Sequence, residues 1–248
     1  MVKISRDNKG KTRVAKGDQS GLGGQYAPDP AKIAVAKNLM EDISNISIPE
    51  NVKYLLHNLK ARSESFLGLE KIETISQPLY KEAVNADHEG LTLIMESMTP
   101  KMKTTFFKGL TENEQNNLLT LKTLGKEKKE RIINNYVVAS LWTDFDDDNG
   151  DHTIFDLSEE SRNKFESEFN RFVAENRETI AEALKAEDYD EESFGYDLWL
   201  TRTRQGVGFW DRPQLKANRL GEKLTEAVDR SLPPISLIVG DDNKLYFE

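Results

Sequence analysis

Residues 194–212 constrain the fold of this chain more than any other stretch. They hold two of the three tryptophans, three arginines, three glycines and two aspartates within nineteen positions. Residues 198–201 and 207–210 are rich in types that favour strands, and 203–206 between them has the composition of a turn. We therefore predict a β-hairpin over 195–212, in which Trp199 and Trp210 are mostly buried.

Composition limits the class of protein. The 248 residues suffice for one large domain or two small ones, and 37% hydrophobic with 31% charged residues is typical of a soluble, mostly helical protein. No apolar run reaches the roughly 18 residues that a membrane span needs, and no signal-peptide pattern is present. We expect a cytoplasmic protein with no membrane partner.

The residue types available also exclude several chemistries. The chain has no cysteine, which rules out disulfides, thiolate zinc sites and cysteine nucleophiles. Three scattered histidines argue against a histidine-built metal site. The sequence has no serine-hydrolase elbow, zinc-protease motif or Walker motif.

Charge is unevenly distributed along the chain. The net charge is −9, but residues 144–192 alone carry eighteen Asp/Glu against five Lys/Arg, a net charge of −13. Residues 1–30 carry six Lys/Arg against three Asp/Glu. The sequence therefore predicts an acidic segment over 144–192 and a basic N-terminal end.

The first half of the chain is predicted to be an arm followed by helices. Residues 1–28 are poor in large apolar side chains, which indicates a flexible basic arm. Residues 29–125 show helix starts at Asp29-Pro30 and Thr99-Pro100 and a capping box at Thr111 and Glu114. The helix after Pro49 has a predicted apolar face of Val52, Leu55, Leu56 and Leu59. Another helix start is expected at Pro78. We predict a helical domain over 29–125.

The second half is predicted to be an α+β domain over 126–248. A helix leads from 126 to 142, a second begins after Ser158, and a third covers 214–230. The second has a predicted buried stripe of Phe165, Phe169, Phe172 and Val173. Residues 235–239 and 245–247 flank a Gly-Asp-Asp-Asn-Lys turn and predict a second hairpin. The fold class is thus α+β: an N-terminal helical bundle, then helices packed on a small antiparallel sheet in ββαββ order.

The hairpin segment carries a family resemblance, together with the helix end at 139–142 and its acidic loop and the terminal segment 240–246. The matching positions are Gly195, Asp197, Trp199, Leu200, Thr201, Arg202, Gly206, Gly208, Phe209, Trp210, Asp211 and Arg212. They resemble a signature of uncharacterised proteins of bacteriophages and other mobile elements, Gly-His-Asp-Phe-Trp-Leu-Thr-Arg followed by Gly-x-Gly-Phe-Trp-Asp-Arg. Tyr196 replaces the usual His, and Gln205 stands where a second His is frequent.

The resemblance covers the C-terminal half and implies a setting without naming a reaction. A phage-encoded accessory protein acts in the cytoplasm of the host cell, for example against a host defence. The two replaced histidines remove support for any chemistry of the family that depends on histidine.

The acidic loop is the first candidate site. Its carboxylates are Asp144, Asp146, Asp147, Asp148 and Asp151. The spacing suggests a calcium loop, but glycine and the terminal acid each come one position too late for an EF-hand. A looser Mg²⁺ or Ca²⁺ site and a solvated acidic turn both remain open, and we expect no cofactor otherwise.

Three other interpretations remain open alongside it. Asp197, Asp211 and Asp241 together with the loop would suit a Mg²⁺-dependent enzyme acting on nucleic acid or nucleotides. A virion or assembly component that uses the basic arm is a further alternative. Arg202, Arg204 and Arg212 beside the aromatic residues would suit single-stranded nucleic acid, so nucleic acid binding is confined to the arm or this segment.

The acidic segment favours a protein partner. A dense array of carboxylates resembles the phosphates of DNA to a basic groove on another protein. Our leading hypothesis is an accessory protein without enzymatic activity, which binds a host or phage protein through this acidic face.

Overall fold

The computed structural model describes residues 47–63, 69–144 and 152–248, and the backbone of two strands at 4–6 and 12–14. The chain divides into two compact units, Met1–His57 and Asn58–Glu248. Most of the predicted arm, the helix predicted after Asp29 and the loop over 145–151 lie outside the described residues.

The first unit contains a short strand pair within the predicted arm. Strand β1 (Ile4–Arg6) runs antiparallel to β2 (Thr12–Val14), with Ser5 opposite Arg13. Helix α1 (Glu50–Ser63) begins in this unit. Its predicted apolar face is confirmed at Val52 and Leu56, which are buried.

The second unit is mainly helical. Among its described residues are nine further helices: α2 (Leu69–Asn85), α3 (His88–Glu96), α4 (Pro100–Lys108), α5 (Glu112–Leu124), α6 (Lys126–Asp144), α7 (Glu159–Glu175), α8 (Arg177–Ala183), α9 (Glu191–Thr203) and α10 (Leu220–Ser231). Short 3₁₀ turns connect some of them, including Phe209–Asp211.

Several helix boundaries follow the capping rules. The Thr99 side chain accepts from the Met102 amide at 3.2 Å, and Pro100 occupies the first turn of α4. The capping box at α5 is confirmed, since the Thr111 amide donates to Glu114 at 2.8 Å. The predicted start at Pro78 is wrong, because this proline lies inside α2.

The predicted division at residues 125 and 126 lies within the second unit. Gly125, at φ +75°, is the single residue between α5 and α6. The Thr120 hydroxyl of α5, which precedes Gly125 in the sequence, donates to the carbonyl of Asn170 in α7, which follows it, at 3.1 Å. Helices from both halves of the sequence therefore pack together.

The predicted hairpin over 195–212 is wrong. Residues 191–203 form α9, which ends at Arg204 in the left-handed region, and a loop then leads to the 3₁₀ turn at 209–211. Residues 197–202 are all buried, so the helix has no solvent-exposed side along that stretch and its sequence lacks the alternation of apolar and polar residues that identifies a helix. Burial in the tertiary fold overrides the strand preference of its aromatic residues. The ββαββ order is consequently not confirmed.

The second hairpin is confirmed. Strands β3 (Leu237–Val239) and β4 (Leu245–Phe247) pair antiparallel, with Leu237 opposite Phe247. The hairpin is tied to α7, because the Phe247 amide donates to the Ser161 hydroxyl at 3.0 Å. The described chain is therefore broadly α+β, with helices predominating.

An aromatic cluster forms the centre of the second unit. The Tyr136 ring of α6 stacks on Phe165 of α7 with centroids 3.9 Å apart, and meets Trp199 of α9 edge-on at 5.2 Å. Phe247 of β4 lies 5.6 Å from Tyr136. The predicted stripe on α7 is confirmed, since all its members are buried: Phe165, Phe169, Phe172 and Val173.

No helix among the described residues combines the length and apolar composition that crossing a membrane requires.

The two tryptophans of the 194–212 segment differ in burial, which yields a stability prediction. Trp199 is fully buried, but Trp210 is 40% exposed, so the expectation that both are mostly buried is wrong for Trp210. Trp199→Ala should lower the free energy of unfolding by about 3–5 kcal/mol, the range for deleting a large aromatic core side chain. Trp210→Ala, as the matched control, should cost less than half as much. Urea denaturation of both variants checks this, and equal losses would contradict the placement of the two rings.

Candidate functional site

Helices α6 and α9 lie side by side and run in the same direction. The contacts pair Arg131 with Glu191 near their beginnings and Tyr136 with Arg202 further along. Gly195 permits the close approach, because a Cβ at this position would overlap the carbonyl oxygen of Ile132. This glycine of the family-like signature therefore has a packing role.

Asp197 is the centre of a buried polar cluster. Its side chain is inaccessible to solvent, and its carboxylate accepts from Arg212 Nε at 2.8 Å, from Arg212 Nη2 at 2.5 Å and from the Tyr189 hydroxyl at 2.9 Å. Burial raises the pKa of the Asp197 carboxyl, against the lowering effect of Arg212 and Tyr189. Hydrogen bonds to Asp197 raise the pKa of Arg212. Both carboxylate oxygens are engaged inside the protein, where they bind the 209–212 segment to α9.

Arg202 forms a second internal connection. Its guanidinium donates to Glu168 of α7 at 2.7 Å, to the Tyr136 hydroxyl at 3.0 Å and to the Pro233 carbonyl at 2.7 Å. Only 1% of its side chain is exposed. Burial also raises the pKa of Tyr136, which keeps this phenol protonated as a partner for the arginine.

The remaining signature residues shape the loop after α9. The Thr201 hydroxyl accepts from the Phe209 amide at 3.0 Å, and Trp199 Nε1 donates to Thr143 at 2.6 Å. Gly206 has φ +74°, and Gly208 leaves no space for a Cβ beside Thr201 and the Trp210 ring. These residues fix the path of the chain.

Arg204 and Trp210 form an exposed pair on this loop. The guanidinium lies 5.6 Å from the centre of the indole ring and pairs with Asp229 of α10. Unlike Arg202 and Arg212, Arg204 presents about half of its side chain to solvent. The three arginines that were predicted to act together thus differ: Arg202 is buried, Arg212 is one-third exposed and pairs with Asp197, and Arg204 is exposed.

Asp144, the first residue of the predicted acidic loop, is also engaged. It accepts from the Leu237 amide at 2.8 Å and from Gln205 at 2.9 Å, so it joins the end of α6 to β3 and to the loop after α9. The other carboxylates of that loop lie outside the described residues: Asp146, Asp147, Asp148 and Asp151. Where the structure describes the chain, no cluster of three or more potential ligands could hold a metal ion.

The described part of the acidic segment ends in a stretch over 178–192 that is rich in exposed acids. It carries seven Asp/Glu against one lysine, and six of the seven carboxylates are exposed: Glu178, Glu182, Glu187, Asp188, Asp190 and Glu192. We call these six residues the acidic surface. The seventh, Glu191, is half-buried and pairs with Lys128 and Arg131.

Hydrogen bonds order parts of the acidic surface. Asp190 accepts from the Ser193 amide at 2.8 Å and caps α9, and this bond lowers the pKa of the Asp190 carboxyl. Glu182 accepts from Asn218, which brings the exposed Lys216 and Arg219 to one edge of the acidic surface. The surface is therefore acidic, with a basic margin.

An exposed aromatic pair on α6 and α9 was not predicted. Trp142 is 72% exposed, and its ring lies 6.5 Å from the half-buried ring of Tyr196 at an angle of 49°. Trp142 was interpreted only as part of the family resemblance, and Tyr196 as a replaced histidine. The signal available in the sequence was the spacing of Arg131, Asn135, Val138 and Trp142 along one face of α6.

A cavity of about 750 Å³ lies at the start of α6. Its lining carries both charges, including Lys126, Lys185, Glu89 and Glu127, together with apolar residues such as Leu184. Sequence reasoning did not identify it, because its residues come from three distant turns and helices.

Comparison with known proteins adds no assignment: no family model, no curated protein and no solved structure matches the chain. The resemblance to phage proteins therefore stays a prediction based on the signature residues.

The buried ion pair gives a pH-dependent prediction. Arg212→Met leaves the Asp197 carboxylate buried without its cation, which should lower the free energy of unfolding by about 3–5 kcal/mol at neutral pH. Losing Arg212 raises the folded-state pKa of Asp197 further above its unfolded value. Asp197 of the folded variant then binds its proton more tightly than Asp197 of the unfolded chain. The loss in free energy of unfolding, relative to wild type, is therefore complete above the raised pKa and becomes smaller as the pH falls towards the unfolded-state pKa.

Urea denaturation at about pH 4.5 and about pH 7.5 tests this behaviour. The matched control is Asp197→Asn, which removes the buried charge and leaves an arginine that is one-third exposed. Its loss at about pH 7.5 should be smaller, and because asparagine does not titrate, its own stability should change less between the two pH values than that of Arg212→Met. An Arg212→Met deficit of the same size at both pH values would show that the carboxylate is not the source.

Proposed function

We propose that this protein works by binding another protein through its acidic surface. The observation that carries the proposal is the density of exposed charge over 178–192, where one lysine stands among seven acids. Such a concentration attracts a basic partner over a distance of about one Debye length, roughly 8–10 Å at physiological salt.

The internal roles of the signature residues support a surface function. Asp197, Arg202 and Arg212 make their hydrogen bonds within the fold. Their charges serve to hold α7, α9 and the 209–212 segment together. Recognition is then left to the exposed side chains, among which the acidic surface is the strongest concentration of one sign that we identify in the described chain.

The partner class that we favour is a protein with a basic groove for nucleic acid. DNA presents one negative charge for about every 1.7 Å of helix axis, and a groove built for that array also accepts a dense array of carboxylates. Together with the resemblance to phage proteins, this supports an accessory protein acting in the cytoplasm of a bacterial host, for example against a host defence.

The test compares two variants that carry the same change in charge. Glu178→Gln, Glu187→Gln and Asp188→Asn together neutralise half of the acidic surface and leave the cap at Asp190 intact. The control neutralises three exposed acids elsewhere, Glu73→Gln, Glu96→Gln and Asp241→Asn. A nuclease-treated bacterial lysate is passed over each immobilised protein, captured proteins are identified by mass spectrometry, and binding is repeated with the purified candidate.

We expect wild type and control to bind the purified partner alike, and the acidic-surface variant to bind at least about tenfold more weakly. Wild-type binding should also weaken as salt increases, and duplex DNA should compete with it. Equal binding by all three proteins would refute the proposal. So would hydrolysis of nucleotides or nucleic acid by the purified protein that is lost in Asp197→Ala, at a temperature where this variant is still folded.

A further inference from the structure

We infer that Trp142 and Tyr196 anchor the partner, and that the element they receive is a basic segment carrying apolar side chains. This inference rests on the proposed function, and it adds a second, apolar component to binding. Tryptophan is strongly buried on average, yet Trp142 is 72% exposed at the end of a well-packed helix. Tryptophan and tyrosine are also the residues that most often dominate binding energy at protein interfaces.

The surroundings of the pair form one continuous face. Val138, which is 39% exposed, lies one turn before Trp142 on α6. The Tyr196 ring of α9 lies 6.5 Å from the indole ring. The close approach of the two helices at Gly195 places these side chains together, so they form an apolar strip that neither helix would present alone.

The charge around the strip indicates which kind of partner segment binds there. Glu192 is exposed one turn before Tyr196 on the same face of α9, and it belongs to the acidic surface. An apolar strip that borders the acidic surface complements an amphipathic segment in which apolar side chains alternate with lysine or arginine.

A second copy of this chain suits the strip less well. The net charge of −9 repels another copy, and an isologous contact at the strip would bring two acidic surfaces towards each other. We therefore assign the strip to a basic partner segment.

The experiment uses peptides as probes, because the partner is not identified. A random 16-residue peptide library is selected on the immobilised full-length protein, and the enriched peptides are synthesised. Their affinities are measured on wild type, Trp142→Ala, Trp142→Phe and Trp210→Ala. The last is the matched control, since it removes a partly exposed tryptophan from the loop after α9. Thermal denaturation confirms that each variant is folded.

We expect the enriched peptides to be cationic and to share apolar positions spaced by three or four residues. Trp142→Ala should weaken their binding by about tenfold or more, Trp142→Phe by less, and Trp210→Ala by under about twofold. Binding should also shift the fluorescence emission of Trp142 to shorter wavelength, a change that is missing in Trp142→Ala.

Each contrary result points to a different failure. Cationic peptides that bind Trp142→Ala as tightly as wild type, but lose affinity for the acidic-surface variant, would overturn the anchor and leave the proposed function standing. Uncharged peptides that need Trp142 would overturn the basic occupant and count against the acidic surface. A library that yields no binder, or a wild-type protein that elutes as a dimer and becomes monomeric on Trp142→Ala, would also overturn the inference.

Discussion

The close approach of α6 and α9 is the constraint on which the rest of the second unit depends. With Gly195 against the Ile132 carbonyl, the two helices lie near enough for Trp199 to meet Tyr136 edge-on and for Arg202 to reach the Tyr136 hydroxyl. A side chain at position 195 would push the helices apart, and each of these contacts would lengthen. Gly195, Trp199 and Arg202 therefore act together in packing the two helices.

The parts of the fold that local chemistry determines could be predicted from the sequence. The caps at Thr99 and Thr111, the apolar stripe of α7 and the C-terminal hairpin depend on neighbouring residues and appear where expected. Helix α9 could not be predicted, because burial on all sides from Asp197 to Arg202 removes the periodic pattern that identifies a helix. Its strand-favouring aromatic residues then dominated the prediction.

The candidate site, like the fold, could be predicted from the sequence only in part. The charge excess over 144–192 was visible in the sequence, and the stretch over 178–192 that is rich in exposed acids lies in its described part. By contrast, the sequence suggested that Arg202 and Arg212 faced a ligand, whereas distant partners such as Glu168 and Pro233 hold Arg202 inside the fold. An ionic side chain in a sequence shows its charge but not its partner. Contacts between residues far apart in the chain decide whether that charge reaches solvent.

The aromatic cluster around Tyr136 also has a consequence for how the protein folds. Tyr136 and Phe247 touch, although more than a hundred residues separate them in sequence. Contacts of such long range raise the contact order and slow folding, because the intervening chain loses entropy before the contact forms. The cluster is complete only when β4 packs against Tyr136, Phe165 and Trp199. A chain whose last strand is not docked therefore has a core that lacks one of its rings, and its exposed aromatic surface favours association with other chains.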